Sequence, residues 1–180
     1  MEYIIAWFFR VTNIRLIIIM CMVYLIFPLY LLPKIINTGS VGALDLLFWY
    51  NHDILYQMLT NYGEAIRNRY IIGLFTADLA YPFYYGTLLV MIFALVFKKL
   101  SIPFSRKLIL IPYTVVLFDL TENSLLIFLL STYPSQHLEI ANLAGYITAI
   151  KWGASGVIAT FIIYIVIFGI RSRKAIGHKP

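Results

Sequence analysis

Cysteine is almost absent from this chain. Cys21 stands alone in an apolar run, so neither a disulfide nor a thiolate metal site can form within one chain. Charge is scarce too: 12% of the 180 residues are Asp, Glu, Lys or Arg, and 62% are hydrophobic. Soluble domains carry about 25% charged residues, so this composition excludes one and implies an integral membrane protein. The three histidines, His52, His137 and His178, stand far apart, and neither a metal site nor a cofactor is expected. Walker A, H-E-x-x-H and G-x-S-x-G motifs are missing. Lipoprotein signal peptidases pair aspartates within four helices of similar size, but their Gly-Asn-x-x-Asp-Arg and Ala-Asp-Ser motifs are missing as well, which removes that protease chemistry.

What the chain has is long apolar runs. The expected architecture is all-α: a single four-transmembrane-helix domain over residues 1–180, with spans at about 16–33, 70–97, 108–130 and 145–170. An amphipathic helical outer loop at 37–69 joins the first two spans. Residues 1–15 read as a short interfacial start, and the first span reads as a signal anchor lacking an A-x-A cleavage site. Pro28 and Pro33 predict a kink and a stop near its outer end. Leu44 to Leu59, rich in aromatics, reads as one or two amphipathic helices lying on the membrane or capping the bundle. Glu64 to Arg69 reads as a salt-bridged helix entrance. Gly145, Ala149 and Gly153 form a small-xxx-small row, expected to pack closely within the bundle, with homodimer contact as the alternative.

The net charge of +6 would suggest nucleic acid in a soluble protein. Here the basic residues mark topology instead, and no nucleic-acid partner is expected. Arg10, Arg15, Lys98, Lys99, Arg106, Lys107, Arg171, Arg173, Lys174 and Lys179 fall on one side; Lys34, Arg67 and Arg69 fall on the other. By the positive-inside rule both termini are cytoplasmic and the aromatic loop faces outward. Low charge and abundant isoleucine suit a bacterial plasma membrane, with the endoplasmic reticulum as the alternative.

Against this background five polar residues stand out. Asp119, Glu122 and Asn123 fall at i, i+3 and i+4 and project from one helix face. Each charge at such depth costs roughly 2.5 to 3.5 kcal/mol on insertion scales. At ~1.5 Å per residue, Asp119 lies roughly 18 Å from the cytoplasmic end of its helix and Asp78 roughly 13 Å from the outer end. Lys151 lies roughly 30 Å from the inner side by the same rise. All five therefore belong to the outer half and are expected to meet, with the Lys151 ammonium beside Glu122 or Asp119 and Trp152 at the interface. Tyr81 and Tyr85 share the face of Asp78, and Pro82 frees the Asp78 carbonyl for another donor. Three carboxylates against one lysine leave an excess of negative charge, so either some carboxylates are protonated or a cation completes the site. Asp119 and Glu122 are the catalytic candidates; Asp78, Tyr81, Tyr85, Asn123, Lys151 and Trp152 are the ligand-binding ones. A closed cluster that only fixes helix register is the competing reading.

The stretch Leu46-Leu-Phe-Trp-Tyr50 followed by Asp78-Leu-Ala-Tyr-Pro-Phe-Tyr-Tyr-Gly86, in a four-span chain with cytoplasmic termini, resembles the EXPERA group of emopamil-binding and sigma-2 receptor type proteins. The chain is also similar to bacterial four-span membrane proteins without an assigned role. The EXPERA resemblance implies a bundle whose buried acids hold an amphiphilic amine or sterol, with Asp78 as the ligand-binding acid, and sterol isomerisation in some members. The first helix here lacks the acid of the sigma-2 type, and the second lacks the histidine that isomerases pair with their acid.

Four functions follow as expectations. The first is binding of a membrane lipid or hydrophobic, cationic amphiphile in a cavity in the outer half. An intramembrane lipid-modifying enzyme with isomerase-type acid and base catalysis is the second. A proton- or cation-coupled carrier and an accessory subunit of a membrane complex complete the set. Clustering of the polar groups on one side weighs against the carrier.

Overall fold

A computed structural model describes residues 1–100 and 105–176. Part of the basic hinge (101–104), together with His178 and Lys179, lies outside the described residues. The chain is an all-α four-helix membrane bundle with candidate spans Ile14–Ile36, His52–Lys99, Arg106–Thr132 and Leu138–Ile167.

Helix α1 (Glu2–Val11) forms the start that was expected at the interface. It buries Ile5 and Phe8 and leaves Tyr3, Ile4 and Trp7 exposed. Asn13 ends the link and caps α2 (Ile14–Ile26) by accepting a hydrogen bond from the Leu16 amide at 3.0 Å. The prolines do not stop this span. Pro28 has no N–H to give, and the backbone widens into a π-helical turn over Phe27–Leu31, where the Leu32 amide bonds back to the Phe27 carbonyl. Helix α3 (Leu32–Ile36) then continues three residues past Pro33.

The outer loop is shorter than its sequence suggests. Only two 3₁₀ turns, Gly39–Val41 and Leu44–Leu46, interrupt it before Asn51 caps α4 (His52–Phe75). Residues 52–69, expected in the loop, belong to this helix. Gly63, at φ +65°, bends it. The limb before the bend lies across the outer ends of the later helices, burying Leu55, Tyr56 and Leu59 against Leu126, Leu129 and Ala144. Beside the bend Arg67 donates to the Leu59 carbonyl at 2.9 Å while stacking on Tyr133. That arrangement replaces the expected salt bridge of the Glu64 to Arg69 stretch.

The second span is likewise not one helix. Thr76, whose hydroxyl donates to the Ile72 carbonyl at 2.6 Å, breaks α4 from α5 (Ala77–Leu100). Asp78 therefore stands in the first turn of α5, where a helix dipole favours a carboxylate. A 3₁₀ turn at Arg106–Leu110 leads into α6 (Tyr113–Thr132), and α7 (Leu138–Ile176) completes the bundle, starting earlier than the expected 145.

Packing divides into two apolar layers. The outer one contains Leu74, Leu126 and Ala144, and the inner one contains Leu88, Val115 and Ile158. Between these positions, on α5, α6 and α7, lie Asp78, Asp119, Glu122, Asn123, Thr148 and Lys151, all buried.

Candidate functional site: a buried polar layer

Lys151 is the centre of this layer. Its ammonium ion-pairs with Asp119 Oδ1 at 3.1 Å and with Glu122 Oε2, and lies 3.5 Å from the Asp45 carbonyl. One ammonium thus ties α7 to two positions on α6 and to the outer loop. The remaining carboxylate oxygens are shared out. Tyr85 of α5 donates to Asp119 Oδ2 at 2.8 Å, and Thr148 donates to Glu122 Oε1. Thr148 sits three residues before Lys151, on the same face of α7, and its hydroxyl lies 3.4 Å from that of Tyr50. Burial, and then the Glu122 charge, pushes the Tyr50 phenol above its ordinary pKa, so this loop side chain stays neutral.

Asp78 and Asn123 form the second part. Pro82 cannot supply the amide that would bond the Asp78 carbonyl, and the Asn123 Nδ2 donates to that carbonyl at 3.1 Å. A proline in one helix thereby specifies a carboxamide in the next. Asp78 Oδ2 and Asn123 Oδ1, both buried, have no hydrogen-bond partner among the described residues. Asn123→Ala is expected to cost about 1 to 3 kcal/mol, the penalty for a buried acceptor left unpaired. In a Pro82→Ala background the same substitution should cost clearly less, because residue 82 then has an amide to offer. Reversible unfolding in mixed micelles of the wild type, both single variants and the double variant measures that coupling. Additive losses would refute the pairing.

The structure brings together Asp119, Glu122 and Lys151, and separately Asp78 with Asn123. Tyr85 joins the first group. Tyr81 does not bond an acid; its ring stacks on Tyr24 and Phe27 at centroid distances of 5.6 and 5.2 Å and meets Tyr85 edge-on. It seals the first span against the polar layer. Trp152 is 40% exposed, with Lys151 Nζ 5.7 Å from its ring centroid, on the outer side of α7.

Four participants were missed by the sequence reading: Asp45, Tyr70, Thr148 and Tyr50. Thr148 had a signal in its i, i+3 relation to Lys151. The others act from the loop or receive it. The Tyr70 hydroxyl donates to Asp45 Oδ1 and accepts from the Leu44 amide at 3.1 Å, so it fixes the turn that carries the fourth acid. Asp45 also forms one wall of a pocket of about 290 Å³ at the outer end of the first span, lined by Pro28, Leu32, Pro33, Ile36 and Leu46 among others. The π-helical turn and the two prolines shape the opposite wall.

Within the chain, the Gly145, Ala149, Gly153 row does not form a seam between two helices. A Cβ at Gly145 would meet the Tyr50 carbonyl oxygen at 1.8 Å, so the loop occupies that notch, whereas a Cβ at Gly153 would meet nothing within 4 Å.

No family profile, no curated protein and no solved structure matches this chain.

Proposed function

We propose that this integral membrane protein binds a lipid-like or cationic amphiphilic small molecule in the outer half of its bundle. The observation that carries the proposal is the position of Asp45, which lines the outer pocket, has its carboxylate held by Tyr70, and has its backbone carbonyl 3.5 Å from Lys151 of the buried layer. Lys151 is ion-paired with Asp119 and Glu122 and meets only the backbone carbonyl of Asp45, so the Asp45 carboxylate is left to attract a cationic headgroup. Pro28, Leu32, Pro33 and Ile36 offer an apolar wall to the tail, and few polar groups fixing a headgroup above an apolar wall is the usual build of a small-molecule site. The resemblance of Asp78 to Gly86 to EXPERA-type proteins points the same way.

Under this proposal Asp119 and Glu122 set the field and are not acid and base catalysts, since Lys151, Tyr85 and Thr148 already engage their oxygens. Native mass spectrometry of the protein extracted in mild detergent provides the test. A bound amine or lipid should be retained by the wild type and lost from Asp45→Asn, which keeps the size of the side chain and removes its charge. Equal retention by both proteins would leave the polar layer as a helix-registering device alone.

A further inference from the structure

At the opposite, basic end of the molecule a second pocket lies between α1 and the 3₁₀ turn before α6. It has a volume of about 450 Å³, within the range of small-molecule sites, and is lined by Glu2, Ile5, Ala6, Ser105, Arg106 and Lys107. Neither the outer pocket nor the polar layer contributes to it. Its chemistry is mixed in a specific way. Arg106 and Lys107 supply two adjacent cations, Ser105 a hydroxyl, and Glu2 a carboxylate. Arg106 is not free to wander, because its guanidinium carbon stands 5.5 Å from the Phe9 ring centroid on α1. Neither Lys107 nor Glu2 has a salt-bridge partner among the described residues. Ile5 is buried in the inner apolar layer, whereas Ile4 and Trp7 on the same helix are exposed. The pocket therefore sits where an interfacial helix meets the cytoplasmic headgroup region.

We propose that this pocket binds the headgroup of an inner-leaflet phospholipid carrying both a phosphodiester and an N–H-bearing ammonium, the phosphoethanolamine class. Arg106 and Lys107 hold the phosphate, the arginine with its forked donors and the lysine as a point charge. Ser105 adds a hydroxyl donor, and Glu2 accepts from the ammonium. The acyl chains run beside the exposed Ile4 and Trp7. A purely anionic headgroup meets Glu2 without an ammonium to neutralise it, and a trimethylammonium has no N–H for Glu2 to accept. Bound this way, the lipid bridges α1 to the turn between the second and third spans.

The test uses the full chain in nanodiscs containing equal parts of phosphatidylethanolamine, phosphatidylglycerol and phosphatidylcholine, released into native mass spectrometry. Phosphatidylethanolamine should be retained over phosphatidylcholine by about tenfold or more, the discrimination expected of one or two charge-assisted hydrogen bonds. Arg106→Gln with Lys107→Gln should abolish retention of all three. Glu2→Gln should keep a lipid adduct and erase the preference for phosphatidylethanolamine over phosphatidylglycerol. Asp45→Asn should leave the adduct unchanged, which separates this site from the outer pocket. Equal retention of the three lipids, undiminished retention by the double variant, or displacement by millimolar inorganic phosphate would each overturn the proposal. The Glu2, Arg106 and Lys107 side chains lie at the surface, so their substitution leaves the packed core untouched.

Discussion

Lys151→Met is expected to destabilise the protein by about 3 to 5 kcal/mol, the cost of removing one partner from a buried ion pair. The size follows from what remains. Asp119 and Glu122 keep their places between two apolar layers, and the methionine leaves both without their cation. The Asp45 carbonyl loses a donor in the same step. Neutralising the acids as well, in Lys151→Met with Asp119→Asn and Glu122→Gln, should recover most of the loss, because Tyr85 and Thr148 can still bond amide oxygens. Reversible unfolding in mixed micelles, followed by tryptophan fluorescence, gives both numbers. If Lys151→Met falls within about 1 kcal/mol of wild type, the size of an exposed pair, the ammonium does not hold the bundle together. If the triple variant is as unstable as the single one, the acids are held by something other than Lys151.

The contrast between this centre and its surroundings shows what a sequence of this kind discloses. The meeting of Asp119, Glu122 and Lys151 was legible because each is costly in a membrane and because helical rise fixes depth, so groups at one depth find one another. The bond from Asn123 to the Asp78 carbonyl was half legible: Pro82 announces an orphan acceptor, and only the fold names its donor. Asp45 was not legible at all. It lies in an irregular turn, where no period relates a residue to its neighbours in space, and its place depends on Tyr70, twenty-five residues later. Helix boundaries were misjudged for a related reason. Hydropathy sees the apolar run but not the bend at Gly63 or the break at Thr76, and both come from local backbone choices inside an otherwise helical stretch. The prolines of the first span were read as a stop because the lost amide was counted; the π-helical turn absorbs that loss by bonding one residue further back.

Gly145→Ala should be the most damaging small substitution outside the charged layer. An added Cβ would come within 1.8 Å of the Tyr50 carbonyl oxygen, a backbone atom that no rotamer change can move. Overpacking of this kind costs about 1 to 3 kcal/mol, and here the strain falls on a single row of α7. Asn142 accepts from the His52 amide at 2.9 Å, Gly145 admits Tyr50, Thr148 meets the Tyr50 hydroxyl and Glu122, and Lys151 reaches the Asp45 carbonyl. Pushing Tyr50 outward unfastens the loop from that row and takes Asp45, a wall of the outer pocket, with it. Amide exchange should therefore rise sharply across residues 44–51, while the inner layer around Val90, Phe93 and Ile109 keeps its protection. Gly153→Ala is the internal control: its Cβ meets nothing within 4 Å, and trading glycine for alanine in a helix should gain up to about 1 kcal/mol. Equal effects at the two glycines would mean that helix propensity, not the docking of the loop, sets the stability of the outer half. A large loss at Gly145 alone, together with weaker amphiphile retention, ties the loop, the polar layer and the pocket into one unit.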